Sequence, residues 1–180
     1  GEVRVEDLVE GDRVLTRDNG YQTIRWVGHR RLSAAELAAR PEFQPVRIAK
    51  GALGPDLPAA DLVVSPPHRM LAPGTRAELL FGEHEVLVAA AHLEGRPGVT
   101  RDTVEEVTYI HILFDQHEII RANSAWTESF QPGAAVLNGM EDAQRDEVLD
   151  LFPELAGNPK SYTAARPSLL AHEARVLLAA

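Results

Sequence analysis

The sequence predicts a mainly β protein that ends in a helical extension. Three observations carry this. From Val3 to Phe130 the apolar segments are short and are broken by Gly, Pro and Asp. Apolar and polar residues alternate in Ile24-Arg25-Trp26 and again from Val104 to Phe114, where Val107, Tyr109 and His111 share one face. After Gln131-Pro132-Gly133 the hydrophobic period lengthens from that of a strand to that of a helix. Short strands at close spacing, without long helices between them, point to an all-β body.

Strands are expected over residues 13–16, 22–27, 46–48, 62–65, 70–71, 78–81, 104–114 and 118–121. Ser33-Ala34-Ala35-Glu36 reads as a capping box that starts a short helix, stopped by Pro41 after about Arg40. The Pro-, Gly- and Ala-rich stretch that follows, to residue 61, reads as a loop-dominated excursion holding one short strand. Beyond Gly133, Asn138-Gly139-Met140-Glu141 reads as a capping signature. Met140, Ala143, Val148, Leu151 and Phe152 then give an amphipathic helix up to Pro153. A last helix is expected from about Pro167 to the end, with Leu169, His172, Val176 and Leu177 on one side. The expected organisation is therefore a β domain over residues 1–133, with a loop-rich insertion at about 33–61, and a helical extension over 134–180 packed on it through Leu151, Phe152, Val176 and Leu177.

Composition bounds the function. A chain of 180 residues, 44% hydrophobic and 25% charged, suits one globular domain with a sizeable core. Its formal net charge is -9, from 27 acidic and 18 basic residues. No basic cluster exceeds His29-Arg30-Arg31, so nucleic acid is not an expected partner. No apolar run reaches the roughly 20 residues of a membrane span, and the first residues lack the order of a signal peptide. Zero cysteines exclude disulfides and thiolate metal sites within these residues, without fixing a compartment.

The chemistry-bearing stretch is Ser65-Pro66-Pro67-His68, which closes the apolar run Leu62-Val63-Val64. It sets a hydroxyl and an imidazole three residues apart where a strand ends. Such an imidazole can move a proton, and a neighbouring hydroxyl can fix its tautomer or orient an amide. Two further segments stand with it. One is Val3-Arg4-Val5-Glu6-Asp7-Leu8-Val9-Glu10-Gly11-Asp12-Arg13-Val14-Leu15-Thr16. The other runs from Val107-Thr108-Tyr109-Ile110-His111-Ile112-Leu113-Phe114 through His117 to Arg121-Ala122-Asn123-Ser124-Ala125-Trp126-Thr127-Glu128-Ser129-Phe130.

Together these segments resemble the Hint domain, the hedgehog/intein autoprocessing fold, and in particular its bacterial branch. The first phrase resembles the strand and turn after the family's nucleophile, and Ser65-x-x-His68 its T-x-x-H block. The resemblance implies a domain that cleaves the peptide bond at its own N-terminal junction. A Cys or Ser attacks the carbonyl before it, and a second nucleophile resolves the ester or thioester. It assigns to His68 the protonation of the departing amine, and to Ser65 the hydroxyl that fixes the imidazole or the amide. The substrate and partner is then the protein's own N-terminal precursor segment, with no cofactor and no metal. The nucleophile is expected one strand and one turn upstream of Val3, about ten to fifteen residues before Gly1. On that expectation these 180 residues alone are inert, and self-cleavage depends on the parent protein supplying the missing strand. The bacterial branch implies the C-terminal part of a longer protein, secretion being compatible with it; oligomeric state is not legible.

Inteins finish with His-Asn and a following nucleophile. Here Asn123 is followed by Ser124 and reads as a turn, so cleavage at the N-terminal junction is expected rather than splicing. His68 and Ser65 are expected within hydrogen-bond reach of each other or of a shared water, beside the N-terminal strand and the 109–130 hairpin.

Other signals have plainer readings. The seven His show no H-x-H or H-x-x-x-H ligand spacing on a credible element, and His111 reads as a packed strand histidine. Glu105 and Glu106, adjacent in an expected strand, face opposite ways. Asp7, Glu10 and Asp12 are turn formers around Gly11, Trp26 and Trp126 are core anchors, and Thr127 and Ser129 are structural hydrogen bonders. Two other classes stay open. One is a non-catalytic β interaction module of degenerate Hint fold; the other is a small-molecule or metal hydrolase using His68 and His111.

Overall fold

In the computed structural model, residues 1–158 and 161–179 are described. Among them the strands are β1 (Arg13–Leu15), β2 (Tyr21–Thr23), β3 (Trp26–Leu32), β4 (Val46–Ile48), β5 (Leu62–Val64), β6 (Arg69–Pro73), β7 (Glu85–Ala89), β8 (Val99–Arg101), β9 (Val107–Leu113), β10 (Ile119–Ala122) and β11 (Ala125–Glu128). The helices are α1 (Ala34–Ala39), α2 (Thr75–Phe81), α3 (Ala90–Leu93), α4 (Ala134–Gly139), α5 (Asp142–Leu151), α6 (Glu154–Gly157) and α7 (Ala171–Leu178). The sheets run β1-β2, β3-β9, β5-β4-β8 and β10-β11-β6-β7. The protein is mainly β with helices at its C-terminal end, as expected. Among the described residues no helix is long and apolar enough to cross a membrane.

The chain packs as two units, interleaved in sequence. The first comprises Gly1–His29, Ile110–Ile120 and Ser129–Ala165. Its core gathers Trp26, Leu113, Leu137, Val148, Phe152, Leu155 and Tyr162, with a second cluster of Ile24, Ile112, Phe114 and Ile120. Trp26 is the anchor: its indole N–H donates to Glu147 Oε2 at 2.8 Å, and its ring lies 5.7 Å from that of Phe130. That ring lies across the backbone of Gly28, where an added Cβ would fall 1.9 Å from an indole carbon, so only glycine fits there.

The helical segment after Gly133 is split. Asn138 and Gly139, expected to cap a helix start, are instead the last residues of α4, and Met140 turns to an extended conformation with ψ 155. Glu141 is the N-cap of α5. Two short helices present Leu137 and Val148 to Trp26, while Leu151 is 40% exposed and does not join the core.

The second unit comprises Arg30–Tyr109, Arg121–Glu128 and Arg166–Ala180. Its core is centred on β7, whose Val86, Leu87 and Val88 are all 0% exposed. One edge of β7 is paired to β6 from Arg69↔Ala89 to Pro73↔Glu85. Leu87 also donates to Pro167 O at 2.8 Å and accepts from Leu169 N at 2.9 Å. An uninterrupted apolar run without alternation is what a strand covered on both faces requires. In α7, Ala174 is fully buried and Leu177 and Leu178 pack on the same core, whereas Val176 is 50% exposed. The buried stripe thus follows the i, i+3, i+4 positions from Ala174 and leaves out Val176. The expected final residue of this helix, Ala180, lies outside the described residues.

Two further expectations are corrected. Residues 78–81 are helical, not a strand: Ala77 is 2% exposed and Phe81 packs on the core, while Leu79 is 81% exposed. The spacing of Ala77 and Phe81 is that of one helix face, and Gly82 at φ 73 closes the helix. Glu105 and Glu106 precede β9 instead of lying in it, and Glu106 accepts from Arg31 Nη2 at 2.6 Å. The capping box is present as expected, Ser33 N donating to Glu36 Oε2 at 2.9 Å.

Gly28→Ala is expected to lower the free energy of unfolding by about 3 kcal/mol, because the indole cannot yield without disturbing its bond to Glu147. Gly139→Ala, with nothing within 4 Å of the added methyl, should change it by less than about 1 kcal/mol. Urea unfolding of the two variants checks this; equal effects would contradict the packing account.

Candidate functional site

The Ser65–His68 segment leaves β5 through a tight turn in which His68 N donates to Ser65 O at 3.0 Å. Pro66 and Pro67 occupy its centre, and their rings fix φ, which lowers the entropy lost on ordering the turn. Two more of its carbonyls are held as well. Pro66 O accepts from Ala91 N at 2.9 Å and His68 O from Ala90 N at 2.8 Å, which ties the turn to the start of α3. A half-buried imidazole is thereby placed at the entrance to β6.

Beside β6 runs β11, paired antiparallel with Thr127 opposite Met70. The Nε2 atom of His68 is hydrogen-bonded to Thr127 Oγ1. Thr127 Oγ1 in turn donates to Arg69 O at 2.8 Å, and the residue is only 2% exposed. Glu128, 7% exposed, secures the same junction. Its Oε1 accepts from Arg69 N at 2.9 Å and its Oε2 from Arg69 Nη1, also at 2.9 Å. Removing a carboxylate from water is costly, and here a charged guanidinium and a backbone N–H offset that cost.

Of the two residues singled out in the sequence, His68 has its imidazole in a built polar site. Ser65 is half-buried and closes the turn through its carbonyl. The hydroxyl on the imidazole belongs to Thr127, read from the sequence as a structural hydrogen bonder. The alternation of Ala125 and Thr127 as buried positions of β11 was the available signal, since it puts the threonine on a covered face. Trp126 between them is only partly buried, with the Arg121 guanidinium 5.9 Å from its ring centre, so it is not the core anchor expected.

Asn123 and Ser124 adopt φ 44 and φ 67, the left-handed pair that a two-residue hairpin between β10 and β11 demands. The Asn123 amide donates to Asp61 O at 2.9 Å and its carbonyl accepts from Ala59 N at 2.7 Å. Asn123 is a turn residue bound to its neighbours.

The other candidates have settings of their own. Tyr109 donates to Phe43 O at 2.6 Å, and burial pushes its phenol up to about 12. His111 stands against the ring of Phe130 at 4.8 Å and belongs to the first unit, whereas His68 belongs to the second. Among the described residues no group of three or more His, Asp or Glu side chains is arranged to hold a metal ion.

A family model for the Hint domain matches residues 1–134 of the chain. No curated protein and no solved structure matches it.

Glu128→Ala leaves Arg69 without its carboxylate and should destabilise the fold by roughly 2–4 kcal/mol. Glu128→Gln, which keeps an acceptor for Arg69 N, should cost less. Denaturant titration of both variants decides this, and a Glu128→Ala variant as stable as wild type would show that the pair does not hold β6 to β11.

Proposed function

Because the chain belongs to the Hint-domain family, we propose that it is the autoprocessing part of a longer protein, cleaving its own chain at the N-terminal junction of the domain. The substrate is the peptide bond preceding a Cys or Ser encoded upstream of Gly1. These 180 residues contain no cysteine, so a thiol nucleophile has to come from there. Its sulfur or oxygen attacks the preceding carbonyl carbon. The new C–S or C–O bond forms as the C–N bond breaks, and the amine departs with a proton. His68 delivers that proton as general acid, and the hydroxyl of Ser65 orients the amide. Water or an added thiol then attacks the ester or thioester and releases the N-terminal segment, regenerating the nucleophile's proton.

The observation that supports this reading best is the setting of His68. A catalytic acid must be held where it can reach one bond and must still exchange protons with water. A half-buried imidazole, fixed by a turn anchored through the carbonyls of Pro66 and His68 and by a hydroxyl on one ring nitrogen, meets both needs. A role for Asn123 as a cyclising residue is disfavoured by its left-handed turn conformation and by the hydrogen bond its side-chain amide donates to Asp61 O.

The test uses the chain extended upstream through its Cys or Ser and placed behind an N-terminal reporter. Reporter release is expected, faster with added thiol. His68→Ala should slow it by about two to four orders of magnitude. Asn123→Gly, compatible with the same turn, should leave it within about threefold. Release unchanged by His68→Ala removes His68 from the reaction, and no release from the extended wild-type chain favours the non-catalytic module.

A further inference from the structure

We propose that Thr127 is a positioning residue that locks His68 in one tautomer, with the proton on Nε2 and the exchangeable lone pair on Nδ1. This deepens the autoprocessing reading and rests on it for its consequence, but the tautomer itself does not.

The argument is one of donors and acceptors. A threonine hydroxyl has a single hydrogen to give. The partner at 2.8 Å, Arg69 O, is a carbonyl and can only accept, so the Thr127 hydrogen points there. Towards His68, Thr127 Oγ1 therefore offers a lone pair, and the Nε2 it meets must carry a hydrogen. In neutral imidazole one nitrogen bears the proton and the other does not. Nδ1 is then the atom through which His68 takes up a proton and delivers it to the departing amine.

Several features make this arrangement persistent. Thr127 is 2% exposed, so water does not compete for its hydroxyl. It lies inside β11, where a β-branched side chain has few rotamers, and its strand is held to β6 by the Glu128 contacts to Arg69. The residue that accepts the threonine hydrogen, Arg69, directly follows His68, so imidazole and acceptor move together. A serine at 127 would keep the same donor and acceptor; a valine would keep the shape and lose both.

The tautomer is read on the 180-residue protein by long-range ¹H–¹⁵N spectra of the imidazole rings at alkaline pH, with His68 assigned through His68→Gln. The expected wild-type pattern is a pyrrole-type Nε2 and a pyridine-type Nδ1. Thr127→Val should shift the ring towards a mixture of tautomers, and Thr127→Ser should restore the wild-type pattern. A pyrrole-type Nδ1 in the wild type overturns the proposal whatever the protein cleaves, and it does so even if Thr127→Val fails to fold. In the extended, reporter-bearing chain, Thr127→Val should slow release about 10- to 100-fold, the effect of leaving one buried donor without its acceptor, with Thr127→Ser near wild type. If the spectra are as expected but both variants cleave like wild type, the positioning role is overturned while autoprocessing stands. If the extended wild type does not cleave, autoprocessing fails and the tautomer is judged by the spectra alone.

Discussion

The pairing of β6 with β11 is the constraint on which the candidate site depends. Two consecutive residues at the entrance to β6 are engaged by consecutive residues of β11: His68 and the carbonyl of Arg69 by Thr127, and the amide and guanidinium of Arg69 by Glu128. Met70, opposite Thr127, is 2% exposed and joins this polar junction to the core. Each contact uses a group that would be costly to bury alone. The guanidinium answers the carboxylate, the threonine hydrogen has a carbonyl, and the imidazole has a hydroxyl. A local network satisfied in this way confines an imidazole without removing it from solvent.

The same logic appears in the rest of the second unit. The chain leaves the site through β6, returns as β7, and is covered by the segment around Pro167 to Leu169, whose backbone bonds directly to Leu87. That segment and α7 come from the far C-terminal end, while β11 comes from the end of the family-matched region. In the first unit the counterpart is Trp26, set by Gly28 and Glu147 and enclosed by residues of α4 and α5. Each unit thus draws its core from sequence-distant pieces, a topology that makes folding depend on long-range contacts.

Much of this was legible in the sequence, and the failures have physical causes. Strand β4 has the limits expected from the sequence, and the α1 capping box is explicit there. From the sequence no strand is expected at β7 and one is expected at 78–81, because Leu79-Leu80-Phe81 and Val86-Leu87-Val88 are both short apolar runs that periodicity alone cannot assign. Tertiary burial assigns them: the second run is wholly buried and the first is half exposed. At the site, His68 was visible through its motif and the turn at Asn123 through its residue type. Thr127 was present only as a hydroxyl of no stated partner, since cross-strand register over a separation of 59 residues is not written in local pattern. The resemblance gives Ser65 the hydroxyl that fixes the imidazole or orients the amide, and the hydroxyl bonded to the imidazole is that of Thr127, near in space and distant in sequence.

The central claim, that this domain holds His68 in place for an acyl shift at its own N-terminal junction, is tested most directly by trapping the intermediate. The extended chain would be incubated with hydroxylamine and the released N-terminal fragment weighed intact by mass spectrometry. An ester or thioester linkage predicts a fragment ending as a hydroxamate at the residue before the nucleophile. A fragment that ends elsewhere, or that carries a plain carboxylate at every hydroxylamine concentration, would contradict the account.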